Sequence, residues 1–151
     1  SSCGKDYVYR IEGELSNLED QTVYAVFEKD NYKVVDTVVC TKPGQFQIDQ
    51  NEAGFHCVTI FFADKEHWVT AYLEPGETVK ITGDANSPLL LQVKGGRTND
   101  KLTAFKKKIA PLLTELTNLS NSLNIVFLNL SSSSCETLFN KLKLFVFGIL
   151  P

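Results

Sequence analysis

The sequence predicts a mainly β domain, an antiparallel sandwich or barrel of about eight short strands, followed by a C-terminal amphipathic helix. Two observations indicate this fold class. From Tyr7 to Val93, short runs rich in β-branched and aromatic residues are separated by turn residues, a pattern typical of all-β sandwiches and barrels. Beyond residue 97 the apolar residues recur at spacings of three and four, which is the period of a helix.

The predicted strands follow from the alternation of apolar and polar side chains. In the first, Tyr9 and Ile11 alternate with Arg10 and Glu12, which gives one buried and one solvated face. The run at residues 55–62 is almost continuously apolar and predicts a central strand covered on both faces. The eight predicted strands are residues 7–15, 22–28, 33–41, 45–49, 55–62, 67–73, 77–83 and 89–94.

Turn residues separate these strands. Pro43-Gly44 and Pro75-Gly76 each predict a tight turn, because proline presets φ at the second position of a type II turn and glycine accepts the positive φ of the third. The stretch from Lys29 to Tyr32 predicts a hairpin loop.

A helix is predicted at residues 98–123. Thr98 or Asn99 is its expected N-cap, with Asp100 favourably placed in the first turn. Pro111 is expected to kink the helix because it removes a backbone donor. The helix carries an apolar stripe formed by Leu102, Phe105, Ile109, Leu112 and Leu116, which continues at Leu119 and Leu123.

The stripe has two interpretations. Its heptad spacing suits a coiled-coil seam, through which the helix would contact a second copy or another protein. The repeat is short, which favours packing of the stripe on the domain's own sheet.

These features divide the chain into four parts. They are a tether at residues 1–6, a β-sandwich domain at 7–97, an amphipathic linker helix at 98–123, and a hydrophobic, serine-rich tail at 124–151. The tail suits a short strand and helix, a hydrophobic terminus that needs a partner, or a non-native extension.

The first four residues, Ser1-Ser2-Cys3-Gly4, look like the lipobox of a bacterial lipoprotein. In that interpretation Cys3 carries a lipid and anchors the domain to a membrane of the cell envelope, on its periplasmic side or at the surface. The alternative is an ordinary terminal cysteine. No apolar run reaches the roughly 20 residues of a membrane-spanning helix, so the sequence predicts covalent or peripheral attachment.

Composition argues against several function classes. A net charge of -3 does not favour a nucleic-acid partner, because such a protein needs a basic face. The four cysteines form no Cys-x-x-C pair and no metal-ligand spacing with the two histidines, so no metal site and no cofactor are predicted. Cys40 and Cys57 suit either a disulfide or two small buried side chains.

No catalytic constellation is recognisable. His56 is assigned to the buried central strand and His67 to a turn beside Asp64, and neither has a nucleophile motif beside it. The best candidates for a ligand surface are Trp68 and Tyr72, because sandwich faces bind sugars and peptides through aromatic side chains. Tyr7, Tyr9 and Tyr24 are the further aromatic candidates. Exposure of Trp68 and Tyr72 in one patch would favour a ligand surface, and burial of both would remove its main support.

An ordered set of short motifs resembles the domain of unknown function 4369, a β-rich N-terminal module of Bacteroidetes lipoproteins that often precedes a thioredoxin-like domain. The matching segments are the opening strand at Tyr9 to Leu15, Asp36-Thr37-Val38 with Gly44-Gln45-Phe46, the turn at Tyr72 to Glu77, and Val93-Lys94-Gly95-Gly96 followed by Asn99-Asp100-Lys101-Leu102 and Phe105.

The resemblance implies a non-catalytic envelope lipoprotein domain that binds or scaffolds. Two alternatives are a fragment of a thiol:disulfide oxidoreductase without its thioredoxin-like domain, and a carbohydrate- or peptide-binding surface lipoprotein. Redox activity is not carried over, since the reactive Cys-x-x-C of those relatives has no matching positions here.

Overall fold

The computed structural model describes residues 6–129. The chain divides into two compact units, Ser1–Ala110 and Pro111–Pro151. Among the described residues, the first unit contains the strands and the first turns of the helix, and the second is the remainder of that helix. Cys3 and the predicted tail beyond Asn129 lie outside the described residues.

All eight predicted strands are present. They are β1 (Tyr9–Ser16), β2 (Thr22–Lys29), β3 (Tyr32–Val39), β4 (Gln45–Gln50), β5 (Cys57–Phe61), β6 (Trp68–Tyr72), β7 (Thr78–Asp84) and β8 (Gln92–Lys94). One helix, α1 (Arg97–Asn129), follows them. The expected start of the last strand at Leu89 is wrong, because Pro88–Leu90 forms a short 3-10 turn.

The strands form two four-stranded sheets that share one core. Sheet A has the order β4-β1-β7-β8 and sheet B the order β3-β2-β5-β6. The predicted mainly β sandwich is therefore confirmed. One pair, β1 with β7, runs parallel, because these strands are distant in sequence and are joined through sheet B rather than by a hairpin.

The core lies between the inner faces of the two sheets. Ile11 and Ile81 of sheet A and Val23 and Phe27 of sheet B are completely buried there. The expectation that β5 is covered on both faces is wrong. Its inner side chains are buried, but Phe61, on its other face, is only half-buried.

Two glycines are fixed by close contacts between β1 and the start of β4. Gly13 lies opposite Phe46, and a Cβ on Gly13 would come within 2.1 Å of the Phe46 ring. Gly44 has a φ of +73°, and its Cβ would lie 1.9 Å from the carbonyl oxygen of Leu15. Gly44 therefore serves both the predicted Pro43-Gly44 turn and the approach of this turn to β1.

The start of α1 is built differently from the sequence prediction. The first helical hydrogen bond runs from the N–H of Asp100 to the carbonyl of Gly96, so neither Thr98 nor Asn99 is the N-cap. Asp100 does lie in the first turn, where its carboxylate accepts the N–H of Gly95 at 2.9 Å. The predicted cap was wrong because Asn99 has a tertiary partner that local sequence does not reveal.

Asn99 and Thr103 attach the first turns of α1 to the two sheets. The Asn99 amide, 2% exposed, accepts the N–H of Tyr72 at 2.8 Å and donates to the Tyr72 carbonyl at 2.7 Å. The Thr103 hydroxyl accepts the N–H of Val93 at 3.1 Å and donates to its carbonyl at 2.6 Å. Each side chain thus takes the place of a neighbouring strand at the edge of one sheet.

The apolar stripe does not pack on the sheets as expected within the first unit. Leu102 is 42% exposed and Phe105 57% exposed, because Asn99 and Thr103 occupy the helix face toward the sandwich. Ile109 is half-buried. In the second unit, Leu112 is exposed and Leu116 half-buried. The helix continues through Pro111, at which the second unit begins.

Cys40 and Cys57 are both free. Cys40 bonds to Gln21 at the start of β2, whereas Cys57 lies opposite Glu28 near its end. Seven residues of extended strand separate these points by about 23 Å, far beyond the roughly 7 Å that a disulfide spans between Cα atoms. Of the two interpretations, the disulfide is therefore wrong.

We predict that Asn99→Ala lowers the free energy of unfolding by about 2–4 kcal/mol, because three hydrogen bonds are lost and the part-buried backbone groups of Tyr72 lose this partner. The free energy of unfolding of Asn99→Asp should lie between those of the unaltered protein and Asn99→Ala. A carboxylate still accepts the Tyr72 N–H but cannot donate to the Tyr72 carbonyl. Chemical denaturation measures both, with exposed Lys101→Ala as the control. An Asn99→Ala variant as stable as the Lys101→Ala variant would contradict the role of Asn99.

Candidate functional site

The outward surfaces of the two sheets differ in chemistry. On sheet A, the strand side chains that alternate with the core residues are all polar or charged. They are Arg10, Glu12, Glu14, Gln45, Gln47, Asp49, Thr78, Lys80, Thr82, Gln92 and Lys94. The Tyr7 ring, which precedes β1, lies under the Arg10 guanidinium at the edge of this surface. This is an ordinary solvated surface, as the alternation of Arg10 and Glu12 with Tyr9 and Ile11 predicts.

The outer face of sheet B is mainly apolar, aromatic and hydroxylated. We define this face by three rows of side chains that cross the strands in the order β3, β2, β5 and β6. The rows are Thr37-Tyr24-Phe61-Trp68, Val35-Val26-Thr59-Thr70 and Lys33-Glu28-Cys57-Tyr72. This surface is the candidate functional site.

Trp68 and Tyr72 lie on this face at the two ends of β6, and Thr70 lies between them on the same side of the strand. Trp68 is 52% exposed and Tyr72 43% exposed. The Trp68 ring packs against Phe61 at a centroid distance of 6.1 Å and an interplanar angle of 43°. The two predicted ligand-surface residues are therefore exposed on one contiguous patch.

The neighbouring aromatic and hydroxyl groups extend this patch. Tyr24 and Phe61 are half-buried, and the ammonium of Lys65 lies 5.2 Å from the centre of the Tyr24 ring. The hydroxyls of Thr59 and Thr70 are 3.3 Å apart. The face thus presents rings beside hydrogen-bonding groups.

The only two charged side chains within the three rows neutralise each other. Lys33 contacts Glu28 at 2.6 Å, which lowers the pKa of Glu28 and raises the pKa of Lys33. Burial, with the adjacent Glu28 carboxylate, raises the pKa of the Cys57 thiol, so this thiol stays protonated and uncharged at neutral pH. The three rows therefore carry no net charge, and the Lys65 ammonium lies at their edge, against the Tyr24 ring.

Sequence reasoning identified Trp68, Tyr72 and Tyr24 but not Phe61 as members of this surface. Phe61 was assigned to the core because its strand is almost wholly apolar, and only strand alternation distinguishes its face from that of Ile60. Two other aromatic candidates do not join the surface. Tyr9 is buried and its hydroxyl accepts the N–H of Gly54, and Tyr7 lies under the guanidinium of Arg10, on sheet A.

His67 lies in an open cleft of about 290 Å³ at one end of the sandwich. Its Nδ1 is 2.5 Å from the Asp64 carboxylate, and that carboxylate also accepts the backbone N–H groups of Glu66 and His67. These bonds lower the pKa of Asp64 to about 2. The arrangement fixes the turn between β5 and β6, as the sequence suggested for His67.

His56 lies elsewhere. It precedes β5 and is exposed, so its expected place in a buried strand is wrong. The strand begins one residue later, and the His56 backbone instead bonds to Glu28 and Leu73. The structure therefore does not bring the two histidines together.

Within residues 6–129, no three histidine, cysteine or acidic side chains are grouped so that they could hold a metal ion. The same part of the chain has no helix that is both long and apolar enough to cross a membrane.

A family model described as "Domain of unknown function (DUF4369)" matches residues 9–102. The matched segment begins at the first residue of β1 and ends in the second turn of α1. It includes both sheets, the three rows of the outer face of sheet B and the Asn99 contact. No curated protein and no solved structure matches the chain.

We predict that the Asp64 carboxyl titrates at about pH 2 rather than 3.8. His67→Ala should raise its pKa, but not fully to 3.8, because the two backbone N–H bonds remain. Since the folded-state pKa is depressed, the stabilisation from Asp64 is present above pH 4 and is lost as the pH falls toward 2. Carboxyl-carbon NMR titration measures this, with Asp84, which does not contact His67, as an internal control. An unchanged Asp64 pKa in His67→Ala would contradict the assignment.

Proposed function

The chain belongs to the DUF4369 family, and on that premise we propose that it is a non-catalytic binding domain of the cell envelope, with the outer face of sheet B as its contact surface. The observation that carries this proposal is the difference between the two outer faces. Sheet A presents a solvated polar surface, whereas sheet B exposes Trp68, Tyr72 and Val35 together. Contiguous exposed apolar groups of this kind are typical of contact sites.

The His67 cleft supports a structural rather than a catalytic role. Its lining residues are Asn17, Leu18, Glu19, Asp20, Phe62, Ala63, Asp64, His67, Ala85 and Asn86. None of these has a hydroxyl, thiol or amine side chain that His67 could activate as a nucleophile. The Asp64 carboxylate, already bonded to His67 and to two backbone groups, is engaged in holding the turn.

We place the domain at the envelope through a lipid on Cys3, as the Ser1 to Gly4 motif indicates. The stripe on α1 is the second proposed contact region, for another protein or a second copy. Exposure of Leu102 and Phe105 supports this part of the proposal, because apolar side chains at heptad positions are stabilised when a partner helix removes them from water.

Lipid anchoring predicts that the protein, expressed from its complete gene in its native host, is recovered with the membranes and carries the added mass of a lipid. Cys3→Ser should move it to the soluble fraction without this mass. Cys40→Ser is the matched control and should remain membrane-bound. Recovery of the unaltered protein in the soluble fraction, without a lipid, would refute the anchor.

Contact through sheet B predicts that purified Cys3→Ser protein, which lacks the anchor, co-sediments with isolated cell envelopes. Adding Trp68→Ala should reduce the bound fraction severalfold, whereas adding Tyr32→Ala should not. Tyr32 is a suitable control because it is 48% exposed but stacks on Phe55, away from the outer face of sheet B. Equal binding by both variants, or no binding by the Cys3→Ser protein, would count against the proposed surface.

A further inference from the structure

Resting on the proposed function, we propose that the outer face of sheet B binds an uncharged oligosaccharide. One sugar ring would stack on Phe61 and Trp68, and the next would lie beside Tyr24, where the Lys65 ammonium already faces the ring. Their hydroxyl groups would bond to the neighbouring threonines and to Lys65. The inference names the chemical class of ligand and follows from the charge, the ring arrangement, the hydroxyl groups and the size of this face.

The charge distribution on the outer face of sheet B favours a neutral ligand. Lys33 and Glu28, the two ionised side chains within the three rows, already pair at 2.6 Å. The Lys65 ammonium at the edge of the rows is already held against the Tyr24 ring. A charged ligand group placed on Val26 or Val35 would lose its water without gaining an opposite charge, which is strongly unfavourable. A ligand without charge avoids this cost.

The aromatic row suits the apolar faces of sugar rings. Tyr24, Phe61 and Trp68 lie opposite one another on β2, β5 and β6, so the row crosses two strand spacings, or about 10 Å. This is close to the length of a disaccharide. Trp68, at the end of the row, offers the largest exposed ring, and the C–H groups on one side of a pyranose pack well against such a surface.

Hydroxyl partners lie directly beside the rings. Thr59 and Thr70 are in the adjacent row, and their hydroxyls, 3.3 Å apart, each retain hydrogen-bonding capacity beyond their mutual bond. Lys65 places an ammonium donor 5.2 Å from the Tyr24 ring, at the same end of the sheet. The hydroxyl groups of a bound sugar could therefore form hydrogen bonds to the two threonines on one side and to Lys65 on another.

The size of the face argues against a second copy of the chain or an extended peptide. Four strands by five residues, with the Thr22–Val39 pair beyond them on β2 and β3, give a footprint of roughly 400 Å², well below the approximately 800 Å² per partner of a stable protein interface. A peptide laid across the face would bury its own N–H and C=O groups against Val26 and Val35, which provide no hydrogen bonds. Peptides that extend a sheet bind at its edge instead.

Trp68 is the only tryptophan in the chain, so its fluorescence reports directly on the surface. The unaltered protein is titrated with cellotetraose, maltotetraose and mannotetraose, with tetragalacturonic acid as the acidic counterpart and with an unstructured ten-residue peptide. At least one neutral sugar should bind and shift the emission to shorter wavelength. The acidic sugar and the peptide should bind at least about tenfold more weakly.

Variants are compared by calorimetry, because Trp68→Ala removes the fluorescent group. Trp68→Ala should weaken sugar binding about tenfold, Trp68→Phe should retain most of the affinity, and Tyr32→Ala should have no effect. Circular dichroism confirms that each variant is folded.

Three outcomes would overturn the inference. Preferential binding of the peptide or the acidic sugar, still dependent on Trp68, would refute the neutral-sugar class and leave the binding surface standing. The same conclusion follows if no sugar binds although envelope co-sedimentation remains sensitive to Trp68→Ala. If both sugar binding and that envelope dependence are absent, the proposed function fails as well.

Discussion

The attachment of α1 to the edges of both sheets is the constraint on which the arrangement of the sandwich depends. Asn99 and Thr103 are one helical turn apart, and each bonds to both the N–H and the carbonyl of one strand residue. Asn99 meets β6 of sheet B and Thr103 meets β8 of sheet A. One helix thereby ties together the two sheets and pairs edge groups that would otherwise be left open. It also fixes the backbone at Tyr72, on the strand that presents Trp68.

The motifs that resemble the family occur at these structural contacts. Gly13 of the opening strand meets Phe46 of the Gly-x-Phe motif, and Tyr72 of the late turn meets Asn99 of the helix motif. These residues are distant in sequence but in contact in the fold, so the identity of one restricts the size and shape of the other. The family motifs of this chain are thus joined by packing and by edge pairing.

Most of the fold could be predicted from local sequence, because strands and turns have characteristic patterns of neighbouring residues. Alternation identified β1, and the Pro-Gly pairs identified two turns. The position of Phe61 could not be obtained in this way, since a continuous apolar run does not tell which side faces the core. Nor could the role of Asn99 be predicted, because asparagine before a helix favours a cap locally, and its actual partner, Tyr72, is 27 residues away in sequence. The candidate site was predicted only in part, since its rows depend on how four strands align.

The contrast between the sheet edges and the outer face of sheet B indicates what kind of contact the fold permits. The helix pairs the backbone of one residue on each of the edge strands β6 and β8, Tyr72 and Val93, and the outward side chains of β4 are polar. On β3, Asp36 lies opposite the buried Ala25 and so points toward the inside of the sandwich, where an acidic group discourages the addition of another strand. Each edge thus carries a feature that opposes association through the backbone, while Trp68, Tyr72 and Val35 remain exposed on the outer face. This combination favours recognition by side chains on a flat surface and disfavours recognition by sheet extension.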